Sequence, residues 1–342
     1  MRLFWIWKGL LSSLFLLIGS TFIFAQDQEA YIEEFRDSKV AYSDIGFSSA
    51  PFNISYPYSI GIDKVKFKNN YQPFIGLAFA YKWFSLRFAF PILSNARPTI
   101  DFGTTRQYNL GLDYTHKKLY FDLEFKYLMG YSIQDSYTWD STTSVVHPNT
   151  IRPNNESSNL SINSWYFNNK NFKMNALQGK RAHFKKEVQT WYIKGTFNVF
   201  GINNNGQGIL PQQLQDPNNS KTGASAFSSL DFGAVPGYAY ANRIKNWQFS
   251  GWIGLGAVVQ AKVYTFQNNT NGYLGLAPRY DIRFITGYSN SDYFIYFVTD
   301  FDNKSIRFND LVYRQYYYSL KLVGGIRFDH PKVKVPKEKK QL

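Results

Sequence analysis

Between Lys39 and Phe328 the large apolar residues recur at every second position rather than every 3.6. That period belongs to strands whose two faces meet different surroundings. "FIGLAFAYK" sets Ile75, Leu77, Phe79 and Tyr81 on one face, with Gly76, Ala78 and Ala80 on the other. "WFSLRFAFPI" sets Phe84, Leu86, Phe88, Phe90 and Ile92 against Ser85, Arg87 and Ala89. The turn between them, Tyr81 to Phe84, is tight. "RQYNLGLDYT" and "LYFDLEFKYLMGY" repeat the design. In the second, Leu119, Phe121, Leu123, Phe125, Tyr127, Met129 and Tyr131 oppose Asp122, Glu124, Lys126 and Gly130. Further strands are expected over 190–200, 229–240, 247–264, 273–289, 292–301 and 313–328. Two weaker ones, Lys39 to Phe47 and Phe52 to Tyr58, precede the first hairpin.

A soluble sandwich turns its large apolar set inward and a heavily charged set outward. Here the smaller set is Gly, Ala, Ser and Asn with a few charges, and the larger set is edged by Tyr. A transmembrane antiparallel up-and-down β-barrel explains both choices. The large residues face lipid and the small ones crowd the interior. Aromatic residues are 19% of the chain, more than a soluble core needs, and Tyr and Trp suit a membrane interface. An even strand count leaves ten or twelve, and twelve is the expectation. A barrel of that size has a lumen filled by side chains or holding one small ligand, not an open aqueous pore.

The first 25 residues, with Arg2 and Lys8 ahead of an apolar stretch and Ala25 at its end, have the pattern of a signal peptide cleaved after Ala25. A periplasmic lead-in over 26–38 follows, then the barrel over 39–328. Long Asn-rich loops are expected at 132–186 and 201–221, with a basic tail at 329–342. On this reading the 132–186 loop is extracellular and the 201–221 loop periplasmic, and a further strand within one of the long loops would change that assignment. The expected location is the cell outer membrane.

The chain has no Cys and four His, and none of the four sits mid-strand opposite a Ser. Thiolate chemistry is excluded. No metal-ligand spacing, EF-hand loop or phosphate-binding Gly loop is present, so no cofactor or metal is expected. The net charge of +14 is spread along the chain except in the tail, which argues against nucleic acid. Expected partners are outer-membrane lipid and lipopolysaccharide, the barrel-assembly machinery during insertion, and an unidentified protein.

Asp122, Glu124 and Lys126 share one side of one strand, so the two acids cannot flank a bond as a glycosidase pair must. With Arg87 and Asp113 from neighbouring strands, Arg279, Asp281 and Arg283 from a later one, and Lys321 and Arg327 from the last, they form an expected lumen charge network. Buried charges persist only when paired.

With the strands placed, a family resemblance is visible. "NNYQPFIGLAFAYKWFSLRFAFPI" is similar to the Tyr-x-Pro, Gly-rich strand and Tyr-Lys-Trp turn of Bacteroidota outer-membrane proteins catalogued as domain of unknown function 4421. "GTTRQYNLGLDYTHKKLYFDLEFKYLMGY" resembles the family's next hairpin. "FNVFGINNN", "PGYAYANRIKNW" and the closing "GGIRF" also resemble it. The resemblance implies an outer-membrane barrel and no activity. The expected role is a non-enzymatic scaffold or partner subunit. A narrow solute channel or ligand-binding barrel is the alternative, and a lipid-modifying enzyme is the third reading.

Overall fold

A computed structural model describes residues 31–328 except 36, 57–63, 93–94, 117–118 and 135–150. The signal segment, the start of the lead-in and the basic tail lie outside the described residues. Twelve antiparallel strands close into a ring. In ring order they are β2 (Lys39–Ser49), β5 (Gln72–Tyr81), β6 (Phe84–Pro91), β7 (Arg106–His116), β8 (Leu119–Gln134) and β9 (Ile151–Phe167). There follow β11 (Val188–Asn203), β12 (Ala226–Ile244), β13 (Trp247–Phe266), β14 (Asn269–Ser289), β15 (Tyr293–Arg307) and β16 (Val312–Phe328). Closure is made by β16 on β2, with Phe328 opposite Lys39. A closed ring leaves no backbone edge facing lipid, where no water could satisfy it.

The outer surface carries a continuous apolar band. Leu77, Phe88, Phe121, Ile193, Phe232, Ile253, Ile295 and Leu322 are all exposed. Rings of aromatic residues bound it. Trp83, Tyr166, Trp191, Trp247 and Tyr293 lie at the end that holds both termini of the wall, Lys39 and Phe328, and Tyr108, Tyr280, Phe301, Tyr316 and Tyr318 at the other. Water-soluble proteins rarely expose so large an apolar surface, and an outer-membrane barrel requires one. The end with the termini also has the tight turns at 82–83, 245–246 and 290–292, which marks it as periplasmic.

Three expectations are corrected. The segment 132–186 is not one loop, because Ile151–Phe167 is a 17-residue wall strand. Its Asn and Ser side chains are the lumen-facing set: Ser157, Asn159, Ser161 and Asn163 are buried and alternate with outward residues. This strand reverses the side of everything after it, so 168–187 is periplasmic and 204–225 extracellular. Phe52 to Tyr58 is not a wall strand. Its core is the short β3 (Phe52–Ser55), which continues β2 along β16 and pairs with β4 (Lys64–Lys68), and β4 in turn pairs with the top of β8. The β3–β4 hairpin thereby replaces β5, β6 and β7 in the extracellular rim. Finally, Tyr131 faces inward and is fully buried. A β-bulge between Met129 and Tyr131 shifts the parity, and Gly130 at its centre has φ +91°.

A side chain at Gly130 would be strained by that φ and would collide with the Thr104 carbonyl. Gly130→Val should cost about 1–3 kcal/mol. The check is the urea midpoint of unfolding from lipid vesicles, and an unchanged midpoint would show that the bulge does not need the glycine.

A charge belt between two plugs

The lumen is layered. At the periplasmic end the chain between β9 and β11 folds back into the barrel. It forms α1 (Met174–Gln178) and β10 (Ala182–Phe184), and β10 pairs with the N-terminal strand β1 (Ile32–Glu34). Phe172, Met174, Leu177 and Phe184 pack against wall residues Tyr120, Trp165, Trp252, Ile285 and Phe294 in one buried cluster. A helix end leaves carbonyls without partners, and here the wall supplies the donors. Gln248 Nε2 donates to the Ala176 and Leu177 carbonyls at 3.0 Å each, and Ser250 Oγ to Leu177 at 2.8 Å. Arg327 Nη2 donates to the Gly179 carbonyl at 2.6 Å and Arg327 Nε to Lys180 at 2.9 Å. A cation at the carbonyl end of a helix is also favoured electrostatically. Gly179 closes α1 in the left-handed region at φ 73°, and a side chain there would strike the Tyr296 ring.

The extracellular end is closed by a second apolar cluster. Phe52 stacks on Phe67 at 4.3 Å, and Tyr131, Phe227, Phe308 and Tyr313 join them with Ile209, Leu210 and Leu214 from the 204–225 loop. Tyr56 Oη donates to the Leu214 carbonyl at 2.6 Å, tying that loop to the rim hairpin.

Between the plugs lies a belt of charge. Arg87 holds Asp44 with two bonds of 2.6 and 2.7 Å, the bidentate geometry natural to guanidinium and carboxylate. Gly76 leaves the space that the Asp44 carboxylate occupies. Lys321 reaches Asp300 at 2.9 Å, and Arg283 pairs with the same carboxylate. Lys194 pairs with Asp281 at 2.8 Å, and the Trp252 indole N–H donates to that acid at 3.0 Å. Lys304 pairs with Asp302 at 3.1 Å, and Arg279 with Asp231. Glu124 is held by Lys126 of its own strand at 2.8 Å and by Asn109 Nδ2 at 3.0 Å. Asp113 pairs with Arg181 of the periplasmic plug. Asp122 has no ion-pair partner among the described residues and accepts from Asn163 Nδ2 at 3.3 Å. Open space amid the belt is a cavity of about 110 Å³, room for a cluster of ordered waters among the charged side chains.

The belt thus gathers nine of the ten charges expected in the lumen. Arg327 differs, since it binds plug carbonyls and the Asn290 carbonyl below the belt. Several members of the belt lie outside that expected set. Asp300, Asp302 and Lys304 follow from the period two of β15, on the side opposite Phe297 and Phe301. Asp231 and Lys194 follow from β12 and β11 in the same way. Asp44 sits in a strand whose pattern is weak, and Arg181 belongs to a segment with no strand period at all.

The class these features define is an outer-membrane β-barrel with a layered, side-chain-filled lumen. More particularly, the chain belongs to the family described as domain of unknown function (DUF4421), whose sequence profile matches residues 26–328. No curated protein matches it. Similar solved structures include the outer membrane protease OmpT from Escherichia coli, at 10% identity and TM-score 0.40, covering 86% of this chain and 98% of that one. The beta domain of the Bordetella autotransporter Brka is similar at 10% identity and TM-score 0.36, covering 86% and 100%. The Pseudomonas putida toluene transporter TodX is similar at 8% identity and TM-score 0.28, covering 86% and 91%. Likeness this remote carries nothing about activity.

Two predictions follow from the layers. The Asp44 side chain is 1% exposed. Arg87→Met would strand it and cost about 3–5 kcal/mol, whereas adding Asp44→Asn should recover most of the loss. Chemical unfolding of the single and double variants checks this, and additive losses would refute the pairing account. In the plug, burial and then the nearby Arg243 guanidinium push the His183 imidazole down to about 4, outweighing Glu33, whose carboxylate accepts from Nε2 at 2.8 Å. A free imidazole titrates near 6.5. Between those values the released plug takes up a proton that the docked plug refuses, so docking is strongest above about pH 6.5 and weakens as pH falls toward 4. Amide exchange across 172–185 should speed up from pH 7.5 to pH 5 after correction for the intrinsic rate, and His183→Gln should flatten the trend.

Proposed function

We propose that this protein is a non-enzymatic outer-membrane scaffold or partner subunit, exported by a signal peptide cleaved after Ala25. The observation that supports it most is the pair of buried apolar clusters that fill the lumen on either side of the charge belt, leaving a cavity of about 110 Å³ between them. A transport path would have to break two buried apolar clusters and the paired charges between them.

The non-enzymatic reading rests on how the acids and the plug histidine are placed. Asp122 and Glu124 project from one strand on the same side and line one wall of the belt cavity rather than facing each other across it, while general acid–base chemistry needs a group within hydrogen-bond reach of a bound substrate. The side chain of His183 is engaged with Glu33 in the plug. Among the described residues no three metal-ligating side chains converge. What remains accessible is the extracellular rim and the periplasmic face of the plug.

Purification of the tagged, full-length protein from its own membrane in mild detergent tests this. A partner recovered reproducibly and in fixed ratio supports the scaffold. Recovery of the barrel alone, time after time, would sink it.

A further inference from the structure

The wall is not evenly paired. β14 is 21 residues long, but it pairs with β15 only from Asp281 to Ser289. Above that level the two strands separate. β15 turns into the lumen, where Asn303 to Ile306 are buried on both faces. Its freed carbonyls are satisfied by β13, which reaches beneath β14. Gln260 Nε2 donates to Ser305 at 2.8 Å, and Lys262 Nζ to Arg307. Gly275 lets the lysine through, since a side chain there would sit 2.6 Å from Nζ.

β14 is left with one bare edge. Tyr280 N donates to Asn303 Oδ1 at 3.1 Å across the split, so even-numbered residues turn their backbone groups to that edge. Pro278 fits this parity, because a proline nitrogen is tolerated where no ladder bond is needed. Above it, the N–H groups of Leu276, Leu274, Gly272 and Thr270 have no partner among the described residues, and the strand pairs regularly with β13 throughout. Leu276 and Leu274 are 71% and 80% exposed, and both lie above the outer aromatic ring at Tyr280. An edge this long and flat is what protein surfaces normally avoid.

We infer that the β14 edge from Thr270 to Leu276 accepts an added β-strand from a protein partner outside the cell. Lipid cannot satisfy a row of amides. A second copy inserted in the same direction presents the same edge running in the same sense, and two identical edges cannot form a regular parallel ladder. The occupant is therefore an extended segment of a different chain. Its outward residues are apolar, to extend the Leu274–Leu276 surface, and its inward residues are acidic, because the Lys262 ammonium enters the split and the Arg307 charge lies close to it. This rests on the partner-subunit reading and names its surface.

The test uses the full-length barrel in lipid nanodiscs and a short capped peptide of alternating glutamate and valine. The peptide should slow exchange of the Thr270, Gly272, Leu274 and Leu276 amides by about tenfold or more, as strand addition does. Leu274→Pro deletes an edge donor without touching the β13 ladder and should abolish protection, while Leu274→Ala should keep it. A version of the peptide N-methylated at alternate residues should not protect. No protection in the wild type, or protection that survives Leu274→Pro, overturns the inference whatever co-purifies with the barrel. Edge-specific protection supports it even where purification yields no partner.

Discussion

Charge pairing inside a crowded lumen governs how the rest of the barrel is built. A carboxylate shut away from water costs several kcal/mol unless a cation and further donors surround it. The barrel meets that cost by distributing opposite charges over separate strands of the ring at one level. Asp44 on β2 meets Arg87 on β6, and Asp281 on β14 meets Lys194 on β11. Such pairs form only when every intervening strand is in register, because a slip by one residue would turn each charge into lipid. The belt therefore acts as a register lock as well as a filling.

The plugs follow from the belt. Apolar clusters above and below it keep water out, which strengthens the pairs and raises the cost of breaking any one. The periplasmic plug is joined to the belt through Arg181 and Asp113, and to the wall through Arg327 and Gln248. The N-terminal strand β1 lies across it, with Glu34 paired to Lys173 and Glu33 to His183. Release of the plug would have to disturb all of these together, so the lumen behaves as one cooperative unit.

Much of this was legible in the sequence. Period two gave the strands, and the size difference between their faces showed which met lipid. The charge-bearing side of β8 followed from parity alone, up to Lys126. Parity then fails at Gly130, where a bulge inverts it and buries Tyr131. The lost strand, Ile151–Phe167, shows why composition misleads. Its inward set is Asn and Ser, which signal loops in a soluble protein but line the polar interior of a membrane barrel. The plug was not legible because its residues follow no strand period, and its packing depends on wall residues far away in sequence. Nor does any local pattern announce the split between β14 and β15, which appears only once the pairing of distant strands is known.

The barrel fills its lumen with its own side chains. Conductance of the purified barrel in planar lipid bilayers tests it most directly. The account predicts no ohmic current above the bare membrane in molar salt at neutral pH. A steady, reproducible single-channel conductance from the wild-type protein would contradict it.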